Sequence, residues 1–120
     1  MTTTIQQRAT GIYDITVRDK LTDELINLSG CDLIFQARDS ITDPDIIIDK
    51  RTDDGIEHAA DQSGSGKGLA VMTIDAEEVE TAASLRFGLW LIDVTMNRWP
   101  LIERGVFIIK ESVVDPEDVS

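Results

Sequence analysis

FGLWLIDVTM, Phe87–Met96, is the stretch that decides the fold. It is rich in β-branched and aromatic residues, which suit a pleated, half-buried surface. Asn97-Arg98 reads as its turn, and WPLIERGVFIIKE, starting at Trp99, as the return strand. Period-two alternation then assigns Trp90, Ile92 and Val94 to the core and Leu89 and Leu91 to the opposite face.

The same rhythm runs outward from this hairpin. In IYDITVRD, Tyr13, Ile15 and Val17 alternate with Asp14, Thr16 and Arg18, and LTDEL then turns the chain. In CDLIFQAR, Cys31, Leu33, Phe35 and Ala37 share one face, with Asp32, Gln36 and Arg38 on the other. DIIIDK follows Pro44, a residue that suits a strand start or an edge. GLAVMTID reads as a strand opened by Gly68. Only DAEEVETAAS, from Asp75, breaks the pattern. Asp75 and Glu78 have capping-box spacing, but the segment is too short to be more than a helical connector. About seven short strands with turn signals between them predict an antiparallel sandwich or small barrel with one short helical turn. The expected core is Tyr13, Val17, Leu33, Phe35, Met72, Ile74, Trp90, Ile92, Val94, Phe107 and Ile109. Residues 1–11 read as an N-terminal arm, 12–113 as the β-sandwich and 114–120 as an acidic tail.

The chain has 120 residues, enough for one domain with a real core. Its formal net charge of −12 repels phosphate backbones and anionic membranes, so neither nucleic acid nor membrane is an expected partner. A single cysteine, Cys31, precludes an internal disulfide and fits assembly in a reducing cytosol. MTTTIQQRAT has no apolar core of signal-peptide length, and no run has the length of a membrane span.

SGSGKGLA, from Ser63, resembles a phosphate-binding loop at first sight. Such a loop needs a glycine five residues before the glycine–lysine pair, a hydroxyl after it, and a following helix. Here Gly66-Lys67 would be the pair, the first glycine is replaced by Asp61, the hydroxyl by Gly68, and a strand follows. The stretch reads instead as a flexible β-turn. His58 sits in a polar stretch with no nucleophile motif beside it and reads as a solvated loop residue. Cys31 lies in register with Leu33 and Phe35 and reads as an inert core thiol. One cysteine and one histidine cannot complete a mononuclear zinc site. Asp43, Asp45 and Asp49, or else Asp53 and Asp54, offer hard oxygens for calcium, but DPDIIIDK departs from the EF-hand pattern after two positions, and the stretch reads as an acidic, solvated loop. No catalytic residue, metal site, cofactor or small-molecule substrate is expected.

Several strands are apolar on both faces, where a sheet with one wet face should alternate cleanly. Leu69, Val71, Leu89, Leu91, Val106 and Ile108 lie opposite the assigned core residues. They are the expected partner-binding face, for another protein or a second copy. An exposed aromatic would point to sugar instead, and Trp99 is the main candidate.

The order of these blocks is similar to the baseplate upper protein N-terminal domain family, small Ig-like β-sandwiches encoded by tailed phages and prophages. INLSG followed by CDLIFQAR resembles its leucine–serine–glycine signature and strand. DGIEH, GKGLAVMTIDAEEV, FGLWLIDVTM and ERGVFIIKESV are similar, in order, to its later turn, strand-and-turn, strand and closing strand, with Trp90 where tyrosine is common. The resemblance spans Ile12 to Val113. It implies an Ig-like β-sandwich with a non-enzymatic structural role in a virion, in the tail, baseplate or neck. Its partners would be other virion proteins or copies of itself. The chain would be made in the host bacterial cytoplasm and located in the virion. The alternatives are a capsid decoration protein and a carbohydrate- or protein-binding β-sandwich module.

Overall fold

The structure, a computed structural model, describes residues 2–6, 9–19, 21–39, 46–79 and 83–110. It is all-β. Eight strands are named: β1 (Thr2–Gln6), β2 (Gly11–Thr16), β3 (Asp32–Arg38), β4 (Ile46–Thr52), β5 (Gly55–His58), β6 (Leu69–Ile74), β7 (Ala83–Ile92) and β8 (Arg98–Lys110). They form one hydrogen-bonded sheet in the order β1-β8-β7-β3-β4-β5-β6-β2. The sheet curls until it is nearly closed. Its two edges are β1 and β2, so Gly11 of β2 sits against Ile5 of β1 and the Tyr13 ring.

Most ladders are antiparallel, with two exceptions. β1 runs parallel to β8, Thr2 opposite Val106 and Gln6 opposite Lys110. β4 and β5 are joined by only two parallel pairs, Arg51 with Gly55 and Thr52 with Ile56. Between them the chain folds over through Asp53 at φ 67° and Gly55 at φ 96°. Glycine is the residue that reaches the second of those values without strain. The segment expected as an arm therefore supplies an edge strand. TTTIQ shows no apolar alternation, because an edge strand can be held by backbone bonds and one inward side chain, Ile5.

The core gathers the inward residues of every strand. Leu33, Phe35 and Ala37 of β3, Ile48 of β4, Ile56 of β5, Met72 and Ile74 of β6, and Phe107 and Ile109 of β8 are all buried. Phe107 stands edge-on to Tyr13, Phe35 and Phe87, with ring centroids 6.2, 6.1 and 6.4 Å away. Edge-to-face packing of this kind adds to plain area burial. Val79 closes the core from a four-residue 3₁₀ turn, Ala76–Val79. The spacing of Asp75 and Glu78 is used: the Asp75 N–H donates to Glu78 Oε1 at 3.1 Å. The same oxygen pairs with the ammonium of Lys50, which is buried on the inward face of β4.

The register of β7 is the reverse of the one expected. Leu91 is 3% exposed and Leu89 is buried, whereas Trp90 is 40% exposed and Val94 lies on the surface. Ile92 is half-buried. The neighbouring strand forces this choice. Leu91, Leu89 and Phe87 lie opposite Leu33, Phe35 and Ala37 of β3, while Ile92, Trp90, Gly88 and Arg86 lie opposite Asp32, Ile34, Gln36 and Arg38. The turn also comes earlier than Asn97-Arg98. β7 ends at Ile92, and Asp93 N–H donates to Asn97 O while Met96 N–H donates to Asp93 O. β8 absorbs the mismatch with register shifts opposite Phe87–Leu89 and Leu89–Trp90, the second at Pro100, where a strand proline is tolerated.

The remaining double-faced assignments keep their sides. Leu69 and Val71 are exposed on β6, and Val106 and Ile108 are half-buried on β8. They do not lie on neighbouring strands: β7, β3, β4 and β5 stand between β8 and β6 along the sheet, and the edge strands β1 and β2 on the closing side. Leu89 and Leu91 leave the proposed partner face altogether. The expected acidic tail and the calcium candidates Asp43 and Asp45 lie outside the described residues. Among the described residues, no cluster of three or more metal-ligating side chains is present, and Asp49 instead pairs with Arg51.

Candidate functional site: a groove at one end of the sheet

Two connections meet at one end of the molecule. The first runs from Val17 to Cys31, between β2 and β3. Its tip is fixed by Asp19, whose Oδ1 accepts the N–H groups of Leu21 and Thr22 at 2.8 and 3.1 Å. Asp19 N–H donates to Glu24 O at 2.8 Å, and Arg18 Nη1 donates to Asp23 O at 3.0 Å. This bonding holds Leu21 out in solvent, 97% exposed.

The second connection is the turn between β7 and β8, organised by Asp93. Its Oδ1 accepts Thr95 N–H, the Thr95 hydroxyl and Asn97 N–H at 2.7–2.9 Å. Its Oδ2 accepts the indole N–H of Trp99 at 2.9 Å. Short polar side chains that bond their own backbone are what tie such turns. The bonds keep the indole at the surface, 53% exposed, beside Val94 at 67% and Met96 at 74%.

Between the two connections lies a groove of about 490 Å³. Its apolar lining includes Leu21, Ile26, Leu91, Trp99 and Leu101, with Cys31 also in the wall, and its charged residues are Arg18, Asp19 and Asp93. The Trp99 indole and the Thr95 hydroxyl, followed by the turn amides, hold the Asp93 carboxyl down at about 2. The amides of Leu21 and Thr22 lower Asp19. Both are therefore anions at neutral pH, and Asp93 is a weak base. Burial, with the Asp93 charge second, raises the Cys31 thiol, so it stays protonated and unreactive. The arrangement is suited to holding a ligand by apolar contact and fixed charge.

A second hollow of about 490 Å³ lies over β2, β5 and β6 and contains Leu69 and Val71 with Asp14, Glu57 and His58. His58 is not a loop residue. It ends β5, half-buried, with Nε2 2.9 Å from the Thr52 hydroxyl. The glycine-rich stretch is closed by its own bonds. Gly64 and Gly66 N–H donate to Asp61 O, Lys67 N–H to Gly64 O, and Gly68 N–H to the buried Gln62 side chain. These four amides are thus occupied, where a phosphate cradle would leave them free.

Sequence reading singled out Trp99 but not Leu21, Asp19, Asp93 or Met96 as its companions. The available signal was the pair of Asp-led turn segments, DKLTDE and DVTMN, each able to bond its own amides. Comparison with known protein families and with curated proteins finds no match.

Proposed function

We propose that the chain is an Ig-like β-sandwich that serves as a non-enzymatic structural protein of a tailed-phage or prophage virion, in the tail, baseplate or neck. It acts through protein–protein contacts made at the grooved end. The Ig-like reading is supported by the strand order. Divided at the two-pair joint of β4 and β5, the sheet becomes β1-β8-β7-β3-β4 and β5-β6-β2. Those are the neighbours of a variable-type sandwich with strands named A-G-F-C-C′ and D-E-B, in which the B–C and F–G connections share one end. The grooved end is that end.

The observation that carries the contact role is the gathering of Leu21, Val94, Met96 and Trp99, all exposed, on and beside two turns hydrogen-bonded by Asp19 and Asp93. Exposed apolar clusters on an otherwise acidic surface mark contact sites. The virion assignment rests on the resemblance of the sequence blocks. Negative-stain images of phage particles treated with an antibody to this chain test it. Labelling at the tail, baseplate or neck is the expected result; particles without label overturn it, and label over the capsid favours a decoration protein instead. A second reading, a carbohydrate-binding module, is favoured by the half-exposed Trp99 indole beside two carboxylates.

A further inference from the structure

We infer that the grooved end accepts a cationic side chain, arginine or lysine, carried on an apolar segment of a partner protein, with the Trp99 indole and the Asp19 and Asp93 carboxylates as its receptors. The inference rests on the reading of this end as the contact surface and specifies the partner's chemistry.

Three observations converge on it. The groove lining is mainly apolar, so the occupant must bring apolar groups. The indole of Trp99 is half exposed in that lining, and an aromatic face attracts a cation placed over it. The charge of the lining is unbalanced: two carboxylates face one described cation, Arg18, whose Nη1 is already donating to Asp23 O. Asp19 keeps acceptor capacity, since the backbone bonds from Leu21 and Thr22 both fall on Oδ1. Asp93 already accepts four, three on Oδ1 and one on Oδ2, which is about what a carboxylate holds, so it acts on the cation through its charge.

An anionic partner would meet these two charges and the field of a chain with net charge −12. A neutral sugar would use the indole and leave the fixed charge without a counterpart. A cation flanked by apolar residues uses all three features together. Both carboxylates are already held by hydrogen bonds to their own turns, and receptors held in place before binding lose little freedom on binding.

The test uses the full chain carrying Trp90→Phe, so that Trp99 is its sole tryptophan. The probes are blocked five-residue peptides of sequence ALXLA, where X is arginine, glutamine or glutamate. Binding is read from Trp99 fluorescence and from its indole N–H resonance. The arginine peptide is expected to bind about fivefold or more tighter than the glutamine peptide, with the glutamate peptide weakest. Its affinity falls by about threefold or more between 0.05 and 0.5 M sodium chloride, as charge pairing at a surface requires. Asp19→Asn, which removes charge while keeping an acceptor for Leu21 and Thr22, brings the arginine and glutamine peptides closer together. Peptides that bind within twofold of one another, or none that moves Trp99, overturn the inference. So does tighter binding of cellobiose or chitobiose at Trp99. Particle labelling is scored separately, so a labelled virion with no arginine preference defeats only this inference, and an arginine preference without labelling defeats only the virion assignment.

Discussion

Gln62 shows how much one neutral side chain can organise. Its Oε1 accepts the N–H groups of Leu28 and Gly68, and its Nε2 donates to the carbonyls of Ala59, Gly66 and Leu69. It is buried, and it ties the glycine-rich turn to the connection between β2 and β3. Gln62→Leu keeps the approximate size but leaves two buried amides without an acceptor. Each such group costs about 1–3 kcal/mol, so the variant should lose roughly 2–6 kcal/mol in urea denaturation. An unchanged midpoint would mean that water replaces the side chain. Asp93 allows a different test. Its folded-state carboxyl titrates at about 2, against an ordinary aspartate near 3.9. A depressed value means that the folded protein binds the proton less readily than the unfolded chain. The stabilisation is therefore full above pH ~4 and is lost as pH falls through about 2. The indole N–H resonance of Trp99 should move with a midpoint near that lower value, and Asp93→Asn should abolish the transition. A midpoint near pH ~4 would show that the bonds to Trp99, Thr95 and Asn97 do not hold the carboxylate.

At the scale of the element, β7 is where the burial pattern has most at stake. Leu91→Ala removes a core side chain opposite Leu33 and should cost about 2–5 kcal/mol, whereas Trp90→Ala, on the outer face, should cost clearly less despite the larger truncation. Leu91→Glu should unfold the chain rather than merely block a contact. Equal losses for Leu91→Ala and Trp90→Ala in thermal denaturation would restore the opposite register. β8 has its own critical point at Gly105, where an added Cβ would run into the Phe87 ring. Gly105→Ala should therefore destabilise by about 1–3 kcal/mol through overpacking. These elements also show what could be read beforehand. β3 was legible because its outward face carries Asp32, Gln36 and Arg38. β7 was not legible from FGLWLIDVTM, whose two faces are both apolar, and a pattern of period two cannot choose between equal faces. Just upstream the choice was available: in SLRFGLWLI, Ser84 and Arg86 share a face with Trp90, which puts Leu85, Phe87, Leu89 and Leu91 inside. The grooved end was less legible still. It joins Asp19 and Leu21 to Asp93 and Trp99 across some seventy residues, and only the ladder of β3 on β7 brings the two turns together.

The whole molecule sets its net charge of −12 against an end rich in exposed apolar side chains. Those features oppose each other in solution. Apolar contact between two such ends would remove Leu21, Val94, Met96 and Trp99 from water, at about 25 cal/mol per Å² buried. Bringing two chains of like charge together costs Coulomb energy, and the Asp19 and Asp93 carboxylates sit in the groove itself. Which effect wins depends on screening. The Debye length is about 10 Å at 0.1 M salt and about 3 Å at 1 M. Repulsion between copies is felt across the contact in the first case and is largely removed in the second, while apolar association is not weakened by added salt. The chain should therefore sediment as a monomer in 0.1 M sodium chloride and associate reversibly in 1 M at the same concentration. Trp99→Ser combined with Met96→Ser, both exposed, at the start of β8 and in the β7–β8 connection, should leave the chain folded, with a melting temperature lowered by the loss of the Trp99–Asp93 bond, and remove the salt-induced association. Association that persists in that double variant would place the sticky surface elsewhere, over Leu69 and Val71 of β6 first of all. Sedimentation that does not respond to salt would show that charge is not what keeps this end apart from its own copies.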